Sequence, residues 1–233
     1  MEITLKEIRR ETPSTTSFIF DKPVGFDFKA GQFAQWAFPV SVCDERCNKR
    51  PFSFATSPAE DYLMVTTRRG VSALKKAMET FVPGTKIQLT KPLGRFVLPP
   101  DIGSVLMIAG GIGITPLRSM INYVIDTNSK QSITLLYSNK SPDEIVFRKE
   151  LESYEKQSEY IQIIFTVTDQ STVPSDWNGE VGRITEDLIK KYIKHDTHIF
   201  TCGPKAMVDA MREMLKTIGF PEEKVHREDF SGY

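Results

Sequence analysis

Val105-Leu106-Met107-Ile108-Ala109-Gly110-Gly111-Ile112-Gly113-Ile114-Thr115-Pro116-Leu117 runs from an apolar segment through a glycine cluster into a helical pattern. Its five leading apolar residues read as a buried strand, and three glycines follow. Thr115 suits a helix N-cap, and Pro116 suits the first helical position, where a missing N–H costs nothing. Leu117, Met120, Ile121 and Val124 then recur at helical spacing. A tight glycine turn from strand into helix exposes backbone N–H groups at the positive end of the helix, a geometry that binds phosphate. Glycines at Gly110, Gly111 and Gly113 would let a pyrophosphate approach where a Cβ blocks it. The pattern is G-x-G-x-x-P rather than G-x-G-x-x-G. The region that usually supplies an acid for a ribose reads Tyr137-Ser138-Asn139-Lys140 instead. A turn that merely packs a helix onto a sheet fits the same residues.

Outward from this stretch, the two halves of the chain differ in rhythm. On the N-terminal side, short alternating segments read as strands: Ile3–Ile8, Thr16–Phe20, Gly31–Phe38, Arg50–Thr56, Tyr62–Thr67, Lys86–Leu89 and Arg95–Leu98, with an amphipathic helix from Ser72 to Phe81. Short strands broken by Gly and Pro turns predict a small antiparallel barrel. On the C-terminal side, strands at Ser132–Tyr137, Ile161–Val167, Thr197–Thr201 and Val225–Phe230 alternate with helices. Ser141-Pro142-Asp143-Glu144 reads as a capping box, and Pro204 opens a helix that Gly219 ends. The stripe Met207, Met211 and Met214 on that helix reads as core. Alternating β and α elements predict a doubly wound parallel sheet, whose ligands sit outside the carboxyl ends of the strands. The expected division is a barrel over residues 1–99 and an α/β domain over 103–233, joined through Pro99–Gly103.

The 233 residues are 40% hydrophobic and 26% charged, ordinary for a globular chain. Lys+Arg and Asp+Glu are both 30, so bulk electrostatics suggests neither nucleic acid nor a membrane surface as partner. No apolar run reaches membrane-spanning length, and the start at Met1 carries no apolar signal core. Three cysteines leave one unpaired, which points to a reducing cytosol. Cys43 and Cys47 form a single C-x-x-x-C with no second pair, and the three histidines are scattered, so no metal site is expected.

Other motifs carry chemistry of their own. Arg50 can pair bidentately with a phosphate, Phe52 offers an aromatic face, and Ser53 can donate or accept a hydrogen bond. Gly70-Val71-Ser72 opens the short helix, with Ser72 as N-cap. Arg68 and Arg69 beside it add positive charge or form a solvated strand end. Cys202-Gly203-Pro204 joins a strand to a helix, and its loop faces Gly110–Gly113 if strand order reverses between the two strands. Cys202 also reads as an ordinary buried small residue.

A barrel followed by an α/β domain with Arg50-Pro51-Phe52-Ser53, Gly70-Val71-Ser72, Gly111 to Pro116, Cys202-Gly203-Pro204 and Glu228-Asp229-Phe230 in this order resembles the ferredoxin–NADP reductase superfamily over essentially the whole chain. The resemblance implies FAD in the barrel and a nicotinamide dinucleotide in the α/β domain. It assigns Arg50 to the flavin pyrophosphate, Phe52 and Pro51 to the ring, and Ser53 to its N5. It assigns Thr67, Arg69, Gly70, Val71 and Ser72 to further flavin contacts. It places Gly110, Gly111, Gly113, Thr115, Pro116, Ser138, Asp169, Gly203, Pro204 and Met207 on the dinucleotide, Cys202 and Glu228 by the reacting carbon, and Phe230 over the flavin. The family often has Tyr where this chain has Phe52. Residues 41–49 form a longer connection than expected, and the chain continues past Phe230 to Tyr233, a competitor for the stacking role.

The expected activity is that of an NAD(P)H-dependent flavoprotein reductase that passes electrons to a separate acceptor, a ferredoxin, another redox protein or a small molecule. Its sequence lacks an iron–sulfur cysteine cluster. The alternatives are a subunit active only within a larger complex and a silent nucleotide sensor. Asp169 at the end of the third α/β strand favours NADH, and Lys140 with Ser138 leaves NADPH as the alternative.

Overall fold

The computed structural model describes residues 1–40 and 48–230; Cys43, Cys47 and Tyr233 lie outside them. Most strands of the N-terminal half alternate buried and exposed residues because one face lies in a core, whereas Phe18–Phe20 and Leu63–Val65 are buried on both faces. Strands β1 (Glu2–Thr12), β2 (Thr15–Asp21), β3 (Phe33–Ala37), β4 (Lys49–Ser53), β5 (Tyr62–Arg68) and β6 (Lys86–Leu89) form one sheet in the order β4-β3-β6-β1-β2-β5. All its pairings are antiparallel. Past the end of β4, Ala55 N–H donates to the Met64 carbonyl of β5 at 2.9 Å, which brings the two edge strands together and closes the barrel. Short helix α1 (Ala73–Met78) turns Leu74 and Met78 into this core, with Ser72 as its N-cap.

The barrel interior is aromatic. Phe54 lies 4.4 Å from Phe28 and 5.6 Å from Trp36 by ring centroids, and the Trp36 indole N–H donates to the Phe52 carbonyl at 3.0 Å. That bond satisfies a buried indole and fixes the height of β4, the strand carrying Arg50-Pro51-Phe52-Ser53.

The second half follows the opposite rule. Strand β7 (Ser104–Gly110) is buried on both faces from Val105 onward, as a central parallel strand must be. With β8 (Ser132–Asn139), β9 (Ile161–Val167), β10 (Glu180–Val181), β11 (Thr197–Gly203) and β12 (Val225–Asp229) it forms a parallel sheet in the order β10-β9-β8-β7-β11-β12. Helices α2 (Ile114–Asp126), α3 (Arg148–Gln157), α4 (Glu186–Lys190) and α5 (Lys205–Thr217) flank it. Strand order reverses between β7 and β11, whose register pairs Ala109 with Cys202.

Three local expectations are corrected. Helix α2 starts at Ile114 rather than after Thr115, because Gly111–Gly113 already winds into a 3-10 turn; the Thr115 hydroxyl donates to the Ile112 carbonyl at 3.2 Å instead of capping. Pro116 therefore sits third in the helix, still within the first turn, whose N–H groups have no intrahelical acceptor. The Ser141 capping box does not form. Only a 3-10 turn spans Pro142–Glu144, and the Glu144 carboxylate reaches Ser14 and Thr12 of the barrel. Arg95–Leu98 is not a strand. Pairing ends with the bridge between Phe33 and Leu93, Gly94 turns the chain at φ +102°, and Phe96 inserts against Phe200 with ring centroids 5.5 Å apart.

The two halves are bolted together by Arg118 of α2, only 2% exposed. Its guanidinium donates to Glu150 of α3 at 2.5 and 2.9 Å, to Glu60 of the barrel at 3.0 and 3.3 Å, and to the Ala55 carbonyl at 2.5 Å. The ring of Phe147, held at φ +61°, lies 5.3 Å beneath it. Tyr62 and Tyr154 donate to the two carboxylates at 2.5 and 2.8 Å, and the adjacent Ser119 hydroxyl donates to the Thr56 carbonyl at 2.5 Å. Burial works against ionisation of Glu60, but the Arg118 hydrogen bond and charge prevail and hold its carboxyl below the usual range. Replacing Arg118 by Met leaves two carboxylates facing each other without their cation. This substitution is expected to cost about 3–5 kcal/mol of unfolding free energy, measured by urea denaturation. An Arg118→Met protein as stable as the parent would contradict the network's role.

Candidate active site

The seam leaves a cleft of about 480 Å³ between barrel and α/β layer. From the barrel it is lined by Phe33, Lys49, Arg50, Pro51, Phe52, Ser53, Thr66 and Thr67. From the α/β half come Ile112, Thr115, Glu228, Asp229 and Phe230. Arg50-Pro51-Phe52-Ser53, the Ile112–Thr115 turn and Glu228-Asp229-Phe230, far apart in the sequence, thus meet in one wall-to-wall arrangement. Arg50 is 7% exposed and donates to the Lys49 carbonyl at 2.8 Å, which holds its guanidinium at the cleft wall. Phe52 is packed edge-on to Phe38 at 5.9 Å, which holds its ring in place at the cleft wall. Pro51, Phe52 and Phe230 supply apolar surface, and Ser53 a hydroxyl.

Glu228 is the poorly satisfied group of this cleft. One of its carboxylate oxygens is buried with no hydrogen-bond partner among the described residues. Burial, and then the charge of Asp229, pushes its carboxyl up to about 7. A buried orphan acceptor with a raised carboxyl beside a cleft marks a candidate functional group.

Beside the cleft, the carboxyl ends of the parallel strands stand in register: Gly110 pairs with Ser138, Ser138 with Thr166, and Gly203 with Asp229. The Gly110–Gly113 turn and the Cys202–Pro204 turn face each other as the sheet reversal requires. A Cβ on Gly113 would collide with the Cys202 carbonyl, and one on Gly110 would collide with the Met207 sulfur and lie 3.1 Å from Pro204 Cδ. Gly111 sits at φ +51°, and a Cβ there would also meet the Arg68 guanidinium of the barrel. Close packing of the two turns, of Met207 and of Arg68 therefore leaves no room for a Cβ at these glycines.

Not every expected residue reaches the cleft. Cys202 is fully buried in the core, its thiol pushed well up by burial and then by Glu228 and Asp229. Met207 packs partly buried against the other core and also touches the glycine turn. Arg69 is paired with Glu79 at 3.0 Å. With Arg10, Arg68 and Lys75 it borders a separate groove of about 240 Å³ beside α1. Gly70 packs on Lys75, and Val71 is exposed. Asp169 caps a 3-10 turn, accepting from Ser171 N–H at 3.2 Å and its hydroxyl at 2.6 Å; those bonds hold its carboxyl low. Thr66 and Phe33 line the cleft without having been singled out in sequence, where they read as ordinary strand residues. Among the described residues no cluster of His, Cys, Asp and Glu could hold a metal ion, and no helix is long and apolar enough to cross a membrane.

Residues 107–213 match the family described as oxidoreductase NAD-binding domain. The chain is 29% identical over 224 residues to the glycine betaine monooxygenase reductase subunit of Chromohalobacter salexigens, covering 93% of this chain and 60% of that protein. It is 28% identical to NADH-cytochrome b5 reductase 2 of Mycosarcoma maydis, covering 97% of this chain and 72% of that one. Among solved structures, the flavohem-like FAD/NAD binding domain of nitric oxide dioxygenase from Vibrio cholerae and a ferredoxin NADP+ reductase from Neisseria gonorrhoeae, the latter with bound FAD and NADP, each superpose with a TM-score of 0.83 at 20% identity. Each comparison covers 98% of both chains. The likeness establishes the shared two-domain fold.

The Glu228 carboxyl binds its proton more tightly folded than unfolded. It therefore favours the folded ligand-free protein at low pH, and this contribution is lost as pH rises from the unfolded value of 4.5 through about 7. Glu228→Gln is expected to raise the melting temperature of the ligand-free protein more at pH 8 than at pH 5. The differential is on the order of 1–3 kcal/mol. An equal shift at both pH values would mean that Glu228 is not held near neutrality.

Proposed function

We propose that this chain belongs to the ferredoxin–NADP reductase superfamily and is an NAD(P)H-dependent flavoprotein reductase whose seam cleft holds FAD and whose glycine turn holds NADH. The observation that carries the reading is the convergence of Arg50, Phe52 and Ser53 with Glu228 and Phe230 around one cleft, together with the buried orphan oxygen of Glu228. The residues fit the cofactor. Arg50 would hold the pyrophosphate, Pro51 and Phe52 would bound one face of the flat ring and Phe230 the other, and Ser53 would offer its hydroxyl to the ring edge. Bound FAD would supply a two-electron acceptor for nicotinamide hydride and release electrons singly or in pairs to the next carrier.

The chain's own work is positioning and exclusion of water. The Gly110–Gly113 and Cys202–Pro204 turns form the dinucleotide cradle, with Pro116, Ser138 and Met207 around it. Thr67 would support the flavin from the barrel wall of the cleft, and the Gly70-Val71-Ser72 turn lies outside that wall, at the start of α1. Glu228, poised near neutrality, would accept or donate a hydrogen bond beside the reacting carbon. Cys202, a buried thiol behind the turn, would shape the nicotinamide pocket. Electrons then pass to a separate redox protein or small molecule. A reductase component serving a larger assembly is a second reading, supported by the name of the glycine betaine monooxygenase relative, of whose length this chain spans 60%.

Two outcomes test the assignment. Arg50→Ala removes a largely buried, charge-assisted phosphate contact worth about 1.5–3 kcal/mol, so FAD affinity should fall roughly ten- to hundredfold by fluorescence titration. Unchanged affinity would displace Arg50 from the flavin site. The cofactor preference should be NADH over NADPH by about tenfold in kcat/KM, or about 1.4 kcal/mol. Asp169 presents a carboxylate where a 2′-phosphate would need a cation; Lys140 roughly offsets that repulsion, and the preference rests on the hydrogen bond that the carboxylate can accept from a ribose hydroxyl of NADH. A clear NADPH preference would mean that Lys140 and Ser138 form a phosphate site.

A further inference from the structure

The Tyr137 side chain is fully buried on β8, one strand over from the glycine turn. Its hydroxyl donates to the Gly111 carbonyl at 3.0 Å. Gly111 is the residue of that turn in the left-handed region, and its carbonyl also receives the Ile114 N–H at the start of α2. One carbonyl therefore takes two donors: one from the helix it launches, one from the neighbouring strand. Arg68 packs against the same glycine from the barrel side. The peptide after Gly111 is thus oriented on one side by Tyr137, and that peptide's N–H belongs to Ile112, which lines the cleft.

From this geometry we infer that Tyr137 is a positioning residue of the dinucleotide site: its hydroxyl locks the Gly111 peptide so that the turn meets its ligand preorganised. The inference rests on the turn holding a nicotinamide dinucleotide. A turn left free to rotate must be ordered on binding, and that cost appears in affinity rather than in the chemical step. Tyr137→Phe keeps the ring and its packing against Phe165, and the Gly111 carbonyl keeps its Ile114 donor. The fold should therefore survive the change.

The test compares parent and Tyr137→Phe as full-length FAD-loaded protein. Isothermal titration with ADP-ribose, which lacks the nicotinamide, reports the turn alone. Steady-state reduction of ferricyanide by NADH separates KM from kcat. Loss of one hydrogen bond predicts a three- to tenfold rise in both the ADP-ribose Kd and the NADH KM, with kcat changed by less than about twofold and FAD content unchanged. Equal Kd and KM in the two proteins would overturn the proposal. So would a variant that loses FAD or fails to fold, because the hydroxyl would then be a general stability element. A parent protein that binds no ADP-ribose would overturn the functional reading, and this proposal with it.

Discussion

Arg118 carries a full positive charge where water does not reach, and the relative placement of the barrel and the α/β layer depends on how that charge is met. Two carboxylates and a backbone carbonyl surround it, one carboxylate and the carbonyl from the barrel, the other from α3. Removing a cation from water is expensive, and only near-complete satisfaction of its donors makes the arrangement stable. Arg118 lies one helical turn beyond Ile114, at the start of the helix that the glycine turn launches. The clamp therefore fixes the glycine turn relative to β4 and β5, and with it the width of the cleft between Ser53 and Glu228.

Given that placement, the parallel register does the rest. Cys202 lies beside Ala109 on one side and Glu228 on the other. The ends of β7, β11 and β12 thereby deliver a glycine turn, a second turn packed directly against it, and a carboxyl group to one rim. The barrel delivers an arginine, an aromatic ring and a hydroxyl to the opposite rim. Glu228 sits uncompensated between them, and a ligand that hydrogen-bonds it would relieve that burial.

Much of this was legible in the sequence because it rests on local pattern. Five consecutive apolar residues before Gly110 identify a strand buried on both faces, and alternation at Ala34, Trp36 and Phe38 identifies a barrel strand. The short motifs led to Arg50, Phe52, Ser53, Glu228 and Phe230, all on the cleft. What stayed hidden depends on partners far away in the chain. Glu144 reads as a capping residue until Ser14 competes for it, and Arg118 reads as one polar residue in an apolar helix pattern. Tyr137 reads as one more apolar strand position, since its bond to Gly111 follows from strand order rather than from spacing. The burial of Cys202 and the pairing of Arg69 with Glu79 are likewise tertiary outcomes.

The proposed function requires one cleft to bring a flavin and a nicotinamide dinucleotide together. An anaerobic absorbance titration of the FAD-loaded protein with NADH tests it most directly. Stoichiometric loss of the oxidised flavin bands as NADH is added is the expected result. Protein that retains no flavin, or flavin whose spectrum is unchanged by both NADH and NADPH, would contradict it.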